Sequence, residues 1–214
     1  MFSKGRHLPD RIQELTLADK SVSIADLTQI INSQLFSTGE KLEIICVMCG
    51  IKSSSEVYKQ IRYQFDKSSA LEIPNKKDLS IIQKELINSK LLFLKREFMK
   101  LNKNTQKIRK FTWFQICAND AVKVLYEKYA DTISEYEEGV IYGFPTTAIR
   151  AFAGLEESHV PKIDHPALYY FGGVYSRSNW KNERMEYLRW WKIINKISPD
   201  IIQIAEREFE EIYF

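Results

Sequence analysis

The chain has 214 residues, 44% of them hydrophobic and 28% charged, a composition typical of globular proteins that argues against a disordered chain. Thirty-one basic and 28 acidic residues leave a formal charge of +3, too small a surplus to indicate nucleic acid or an anionic membrane as the partner. There is no apolar run of about 18 residues for a membrane helix, and the N-terminus lacks the apolar core of a secretion signal. Three cysteines, Cys46, Cys49 and Cys117, do not make a disulfide framework. We therefore expect a cytoplasmic protein with no membrane partner.

The first third of the sequence is predicted to be helical. Residues 1–20 mix charge, glycine and proline without a period, which predicts a loosely held N-terminal arm. Three helical patterns follow: residues 24–35, the apolar segment 40–50, and a segment with Val57, Ile61 and Phe65 at spacing four, capped by Ser53 or Ser54. Residues 21–70 are therefore interpreted as a helical subdomain.

Turn-forming residues between Lys67 and Lys77 mark a predicted boundary, after which residues 77–214 form an α+β domain with a helical C-terminus. Two aromatic and aliphatic segments, residues 91–99 and 107–118, flank a polar stretch and predict an antiparallel pair of strands. Helical patterns occupy residues 78–89, 119–130, 179–197 and 198–212. The predicted fold class is α+β, predominantly helical with a small antiparallel β-sheet.

The stretch Glu137 to Gly154 carries the strongest local signals. Gly143 suits the left-handed residue that ends a helix, and Pro145 suits the start of the next helix. Free amides at a helix start favour anions, and Thr146, Thr147 and Arg150 lie near this one. The pattern therefore predicts an anion-accepting helix start.

This stretch, EEGVIYGFPTTAIRAF, resembles the motif Glu-Gly-x-x-x-Gly-Tyr-Pro-x-Cys-Cys-x-x-x-Phe of an uncharacterised prokaryotic family. The family's later motif, Pro-Cys-Ser-x-x-Cys, corresponds to residues 174–179, ahead of the helix that contains Trp190 and Trp191. The resemblance covers about the last two thirds of the chain and implies a fold more than an activity. It also implies that the two motif segments fold together.

The family's cysteines would fall on Thr146, Thr147, Tyr175 and Asn179, none of which is a cysteine here. Hydroxyl and amide groups are poor ligands for soft metals. We therefore expect neither a metal nor a cofactor, and in particular no stoichiometric zinc or iron.

The first functional hypothesis is a non-catalytic binding protein with an anion-accepting crevice at the Pro145 helix start. Its site residues would be Thr146, Thr147, Arg150, Ser176 and Arg177. An arginine offers a planar fork to a carboxylate or phosphate, so the ligand would be an anionic small molecule or a protein partner. Arg150 could equally be a structural arginine paired with Glu137 or Glu138.

Two alternatives stay open at this point. A basic hairpin with Lys100, Lys103, Lys107, Arg109 and Lys110, beside Phe111 and Trp113, could bind nucleic acid, although such charge runs commonly serve only solubility. An enzyme could be centred on His159 and His165, but there is no nucleophile motif near them. The C-x-x-C of Cys46 and Cys49 is interpreted as core packing. The sequence does not decide whether the protein is an enzyme.

Overall fold

Most of the described chain folds into helices, in a computed structural model that describes residues 24–64, 76–101, 108–129 and 132–213. The helices are α1 Ile24–Asn32, α2 Thr38–Met48, α3 Lys76–Asn88, α4 Asp120–Tyr129, α5 Glu135–Ile141, α6 Thr146–Phe152, α7 Pro166–Tyr170, α8 Trp180–Ile197 and α9 Pro199–Tyr213. The strands are β1 Ser54–Gln64, β2 Leu92–Leu101, β3 Ile108–Cys117, β4 Ser158–His159 and β5 Tyr175–Ser176. The predicted α+β, mainly helical class is confirmed. Within the described residues, every helix is too short or too polar to cross a lipid bilayer.

Helix α2 lies at the centre of the fold because it is apolar on both faces. Its start is fixed by a capping box, in which the Ser37 hydroxyl accepts from the Glu40 amide and the Glu40 carboxylate accepts from the Ser37 amide. Leu42 and Ile45 pack toward the C-terminal helices, and Ile44 packs toward the sheet. Because its buried side chains belong to both clusters, α2 joins the two halves of the core.

The larger sheet has three antiparallel strands in the order β1–β3–β2. The predicted pair of strands is confirmed: β2 and β3 pair continuously from Leu92 opposite Cys117 to Leu101 opposite Ile108. The central strand β3 is buried on both faces, with Phe114 packing on the α2 side and Cys117 on the α4 side. Lys103 and Lys107, at the tip of this hairpin, lie outside the described residues, as do the side chains of Lys100, Arg109 and Lys110. The nucleic-acid hypothesis therefore stays a prediction.

The predicted third helix around Val57 is wrong, because the segment forms strand β1 and pairs with β3. A spacing of four residues places side chains on one face of a strand as well as of a helix, so it could not separate the two structures. The segment forms a strand because it pairs with the long strand β3. Residues 21–70 are therefore not a purely helical subdomain, and the sheet takes strands from both sides of the predicted boundary. Residues 65–75 of that boundary lie outside the described part of the chain.

The C-terminal helices cover the other face of α2. Helix α8 buries Tyr187, Trp190 and Trp191 together with residues of α7 and α9. Helix α9 begins at Pro199, as its sequence predicts, because proline needs no amide partner in the first turn. Tyr187 of α8 also lines the crevice described below.

Candidate functional site

The break between α5 and α6 falls where the sequence places it. Gly143 follows the last turn of α5 with φ +74°, a backbone conformation that side-chain-bearing residues rarely adopt. A Cβ at this position would also lie 3.2 Å from the carbonyl oxygen of Ile51. Pro145 stands directly before α6, one position earlier than the first helical residue. The turn thus sets the angle between the two short helices.

The two motif segments lie together, but the anion beside the start of α6 is the protein's own. The Thr147 hydroxyl donates to Glu183 Oε1 at 2.5 Å, and the Ser176 amide donates to Glu183 Oε2 at 2.9 Å. Asn179 Nδ2 in turn donates to Thr147 Oγ1 at 3.0 Å. The Glu183 side chain is 1% exposed, so this carboxylate occupies the position in which the sequence predicts an external anion.

Sequence reasoning missed Glu183, although a signal for it exists. Glu183 precedes Tyr187 by one helical turn and shares the buried face of α8 with Trp190 and Ile194. A carboxylate on an apolar helix face must find hydrogen-bond donors when it is buried. That requirement points to a structural partner such as the hydroxyl of Thr147.

Both predicted site arginines are held by neighbouring carboxylates. Arg150 Nε donates to Glu156 Oε1 at 2.5 Å, so its partner is neither Glu137 nor Glu138. Arg177 pairs with Glu157 at the surface. Glu156, Glu157, Arg177 and Ser178 line a shallow cavity of about 260 Å³. The structural interpretation of Arg150 is therefore favoured.

The remaining predicted ligand-binding residues are Thr146, whose side chain is exposed, and Ser176, whose hydroxyl hydrogen-bonds Ser178 Oγ at 2.9 Å. Four of the five predicted residues therefore have hydrogen-bond or ion-pair partners within the protein, and the fifth, Thr146, is exposed. Two of them, Thr147 and Ser176, bind the internal carboxylate of Glu183, and helix α6 has only seven residues.

A larger crevice, of about 500 Å³, lies along α5 and α6. Its lining combines apolar walls, a strip with two adjacent glycines and three carboxylates. The lining residues are Glu56, Glu135, Glu138, Gly139, Tyr142, Phe144, Ala148, Ile149, Phe152, Gly172, Gly173, Val174 and Tyr187. Among these described lining residues there is no lysine, arginine or histidine. The crevice is therefore apolar with an acidic character, in a chain whose net charge is positive.

Tyr142 connects the acidic residues of the crevice to the sheet. Its hydroxyl donates to Glu138 Oε1 at 3.2 Å and lies 3.4 Å from Gln115 Oε1. Glu138 is also 3.6 Å from the guanidinium of Arg96, which balances part of its charge. Burial raises the pKa of the Tyr142 phenol, with smaller contributions from nearby acidic groups that include Glu56 and Glu138. The phenol therefore stays protonated and keeps its hydrogen bond within the fold.

The wall opposite α5 depends on close backbone packing at Gly172. A Cβ there would lie 2.2 Å from the Leu168 carbonyl oxygen and 2.6 Å from the Tyr175 hydroxyl oxygen. At the neighbouring Gly173 a Cβ would meet nothing within 4 Å. These two glycines therefore form a matched pair for testing the packing of this wall.

We expect Gly172→Ala to lower the free energy of unfolding by about 1–3 kcal/mol, because the added methyl group displaces backbone in a packed region. Gly173→Ala should change the free energy of unfolding by less than about 0.5 kcal/mol, because the added methyl group faces open space. Urea denaturation of the two variants measures the difference. Equal stability of the two variants would show that the backbone does not pack closely at Gly172.

The cysteines are packing residues rather than reactive thiols. Burial raises the pKa of the Cys49 thiol to about 11 and that of Cys117 to about 12, and it raises the pKa of the fully buried Cys46 further. Thiols in this state are protonated near neutral pH and are poor nucleophiles. The packing interpretation of Cys46 and Cys49 fits their positions.

The two histidines of the enzyme hypothesis have structural contacts. His165 Nδ1 accepts from the Ala167 amide at 3.0 Å and caps α7, and partial burial lowers the pKa of its imidazole. His159 packs on Trp180, with ring centroids 5.4 Å apart. Neither histidine is among the described residues that line the crevice. Groups of three or more metal-ligating side chains do not occur within the described residues.

No protein-family model, curated protein or solved structure matches this chain. The resemblance to the prokaryotic family with cysteine motifs therefore stays a prediction. The residues that line the crevice are therefore the basis for a proposed function.

Proposed function

We propose that the protein is a non-catalytic binding protein whose crevice along α5 and α6 accepts a ligand with an apolar body and a positively charged group. The observation that carries this proposal is the lining of the crevice. It contains Glu56, Glu135 and Glu138, without a lysine, arginine or histidine among its described residues, although basic residues outnumber acidic ones in the chain.

The apolar part of the proposal follows from the walls. Phe144, Ala148, Ile149, Phe152 and Tyr187 are among the residues that line the crevice. A volume of about 500 Å³ lies within the range of small-ligand sites. Burying apolar ligand surface here contributes about 25 cal/mol for each Å² removed from water.

The charge preference follows from the carboxylates. Glu135 is exposed at the first turn of α5 and makes no ion pair with the described residues. A cation would be attracted to this carboxylate. An anion would be repelled by the same lining. The crevice therefore prefers a positively charged ligand, whereas the sequence predicts an anion at the Pro145 helix start.

Calorimetric titration with three ligands of nearly identical shape tests the proposal. We expect 4-phenylbutylamine to bind at least about tenfold more tightly than 4-phenylbutyrate, a difference of about 1.4 kcal/mol, with neutral 4-phenylbutanol between them. The preference for the amine should weaken as salt is raised, because exposed charges are screened. Tighter binding of the carboxylate would instead support the anion site predicted from the sequence.

A matched pair of variants tests whether the preference for a cation comes from a carboxylate in the crevice or from the net charge of the chain. Glu135→Gln should weaken amine binding by about threefold to tenfold, because it removes one carboxylate from the crevice. Glu210→Gln, on the exposed face of α9, removes the same charge from the chain elsewhere and should leave binding unchanged. Equal effects of the two variants would show that only net charge matters.

A further inference from the structure

We infer that the natural occupant of this crevice is an extended segment of another polypeptide chain, with lysine or arginine side chains alternating with apolar ones. This inference rests on the proposed function, because it uses the same acidic and apolar lining. It adds a recognition element that a small amine would not use, the exposed backbone of the strip opposite α5.

The strip consists of Gly172, Gly173 and Val174. Within the described residues, the amide and carbonyl groups of Gly173 and Val174 take part in no hydrogen bond. Gly173 is exposed, and the space beside its Cα is open. A second backbone can therefore approach closely and exchange main-chain hydrogen bonds, as when a peptide adds to an exposed strand.

The opposite wall suits the side chains of such a segment. Successive side chains of an extended chain point to opposite sides, so cationic groups can face Glu135 and Glu138 while apolar groups face the apolar lining. The required partner thus has an alternating pattern of charge and apolar character. A small amine satisfies only one repeat of it.

Part of the apolar lining of the crevice is exposed to solvent. Phe152, which lines the crevice, is 62% exposed. Exposed apolar side chains next to a binding groove are typical of protein interaction sites. The three carboxylates that line the crevice complement the charge of a basic segment.

Fluorescence polarisation with a labelled peptide, acetyl-Lys-Phe-Lys-Leu-Lys-amide, tests the inference on the full chain. We expect this peptide to bind at least about tenfold more tightly than 4-phenylbutylamine, to be displaced by it, and to bind more tightly than the peptide with glutamate in place of lysine. N-methylation of the central backbone amides, which removes donors and leaves the side chains, should weaken binding about tenfold.

Gly173→Val provides the matched protein variant. The backbone of Gly173 is outside the left-handed region, so a side chain is tolerated there, and thermal unfolding monitored by circular dichroism checks that the variant folds. The added side chain should weaken peptide binding about tenfold by blocking backbone approach, and it should weaken amine binding by a smaller factor, because the amine makes no main-chain hydrogen bond to the strip.

The outcomes separate the two proposals. Amine binding without tighter peptide binding, or peptide binding that is insensitive both to N-methylation and to Gly173→Val, would overturn the inference and leave the proposed function standing. Failure of both ligands to bind would overturn both. Peptide binding that is lost in Glu135→Gln and on N-methylation supports the inference.

Discussion

Replacing Trp191 with alanine is expected to lower the free energy of unfolding by about 3–5 kcal/mol, the range for removing a buried large aromatic side chain. Trp191 is buried, as the helical spacing of the sequence predicts. Its ring stacks on Tyr170 with centroids 6.2 Å apart and meets the edge of Phe171 at 6.2 Å. The loss combines apolar surface returned to water with a cavity that the packed helices fill only in part.

Urea denaturation measures this effect, and Met185→Ala supplies the control on the same helix. Met185 is an exposed side chain of α8, so its truncation should change the free energy of unfolding by less than about 0.5 kcal/mol. An unchanged denaturation midpoint in Trp191→Ala would mean that the tryptophan is exposed in solution. It would then be a candidate for an aromatic binding surface.

Replacing Glu43 with glutamine is expected to cost about 3 kcal/mol of unfolding free energy, because it leaves the buried ammonium of Lys52 without its counter-charge. Lys52 Nζ lies 2.7 Å from each carboxylate oxygen of Glu43, and the Lys52 side chain is only 2% exposed. The Ser55 hydroxyl adds a hydrogen bond of 2.6 Å to the same carboxylate. The value lies at the lower end of the range for broken buried pairs because Glu43 remains 20% exposed.

The double variant Glu43→Gln with Lys52→Met should recover most of this loss, because an apolar side chain of similar length has no charge to desolvate. Asp26→Asn, which removes the surface partner of Lys90, should cost no more than about 1 kcal/mol. Urea denaturation compares all three. A double variant as unstable as Glu43→Gln alone would show that the ion pair is not the cause.

This ion pair also supports the proposed crevice. Lys52 Nζ lies 4.6 Å from the centre of the Phe144 ring and 5.2 Å from that of Trp190, distances at which a cation is attracted to an aromatic face. Phe144 also lines the crevice. Loss of the pair should therefore loosen the apolar wall as well as the core.

The fold class and most helices could be predicted because their signals are local. The capping box of Ser37 and Glu40, the glycine at 143 and the proline at 199 each act within one turn of backbone. Strand β1 was mispredicted because Val57 and Ile61 fit either period, and its partner β3 lies more than 40 residues away in sequence.

The candidate site was harder to predict from the sequence because its residues are distant along the chain. The anion preference of a helix start is a local property, but the group that satisfies it, Glu183, lies 36 residues beyond Thr147. The crevice joins Glu56, helices α5 and α6, the strip 172–174 and Tyr187. Tertiary packing brings these residues together, and their spacing in the sequence does not predict it.

The proposed cation-accepting crevice is tested most directly by NMR. Backbone amide chemical shifts of isotope-labelled protein are compared before and after addition of 4-phenylbutylamine to locate the bound amine. The largest changes are expected at the amides of Gly139, Gly172 and Gly173, which line the crevice, with small changes along α9. Changes centred on Arg150, Glu157 and Arg177, or an absence of changes at the three glycines, would contradict the proposed site.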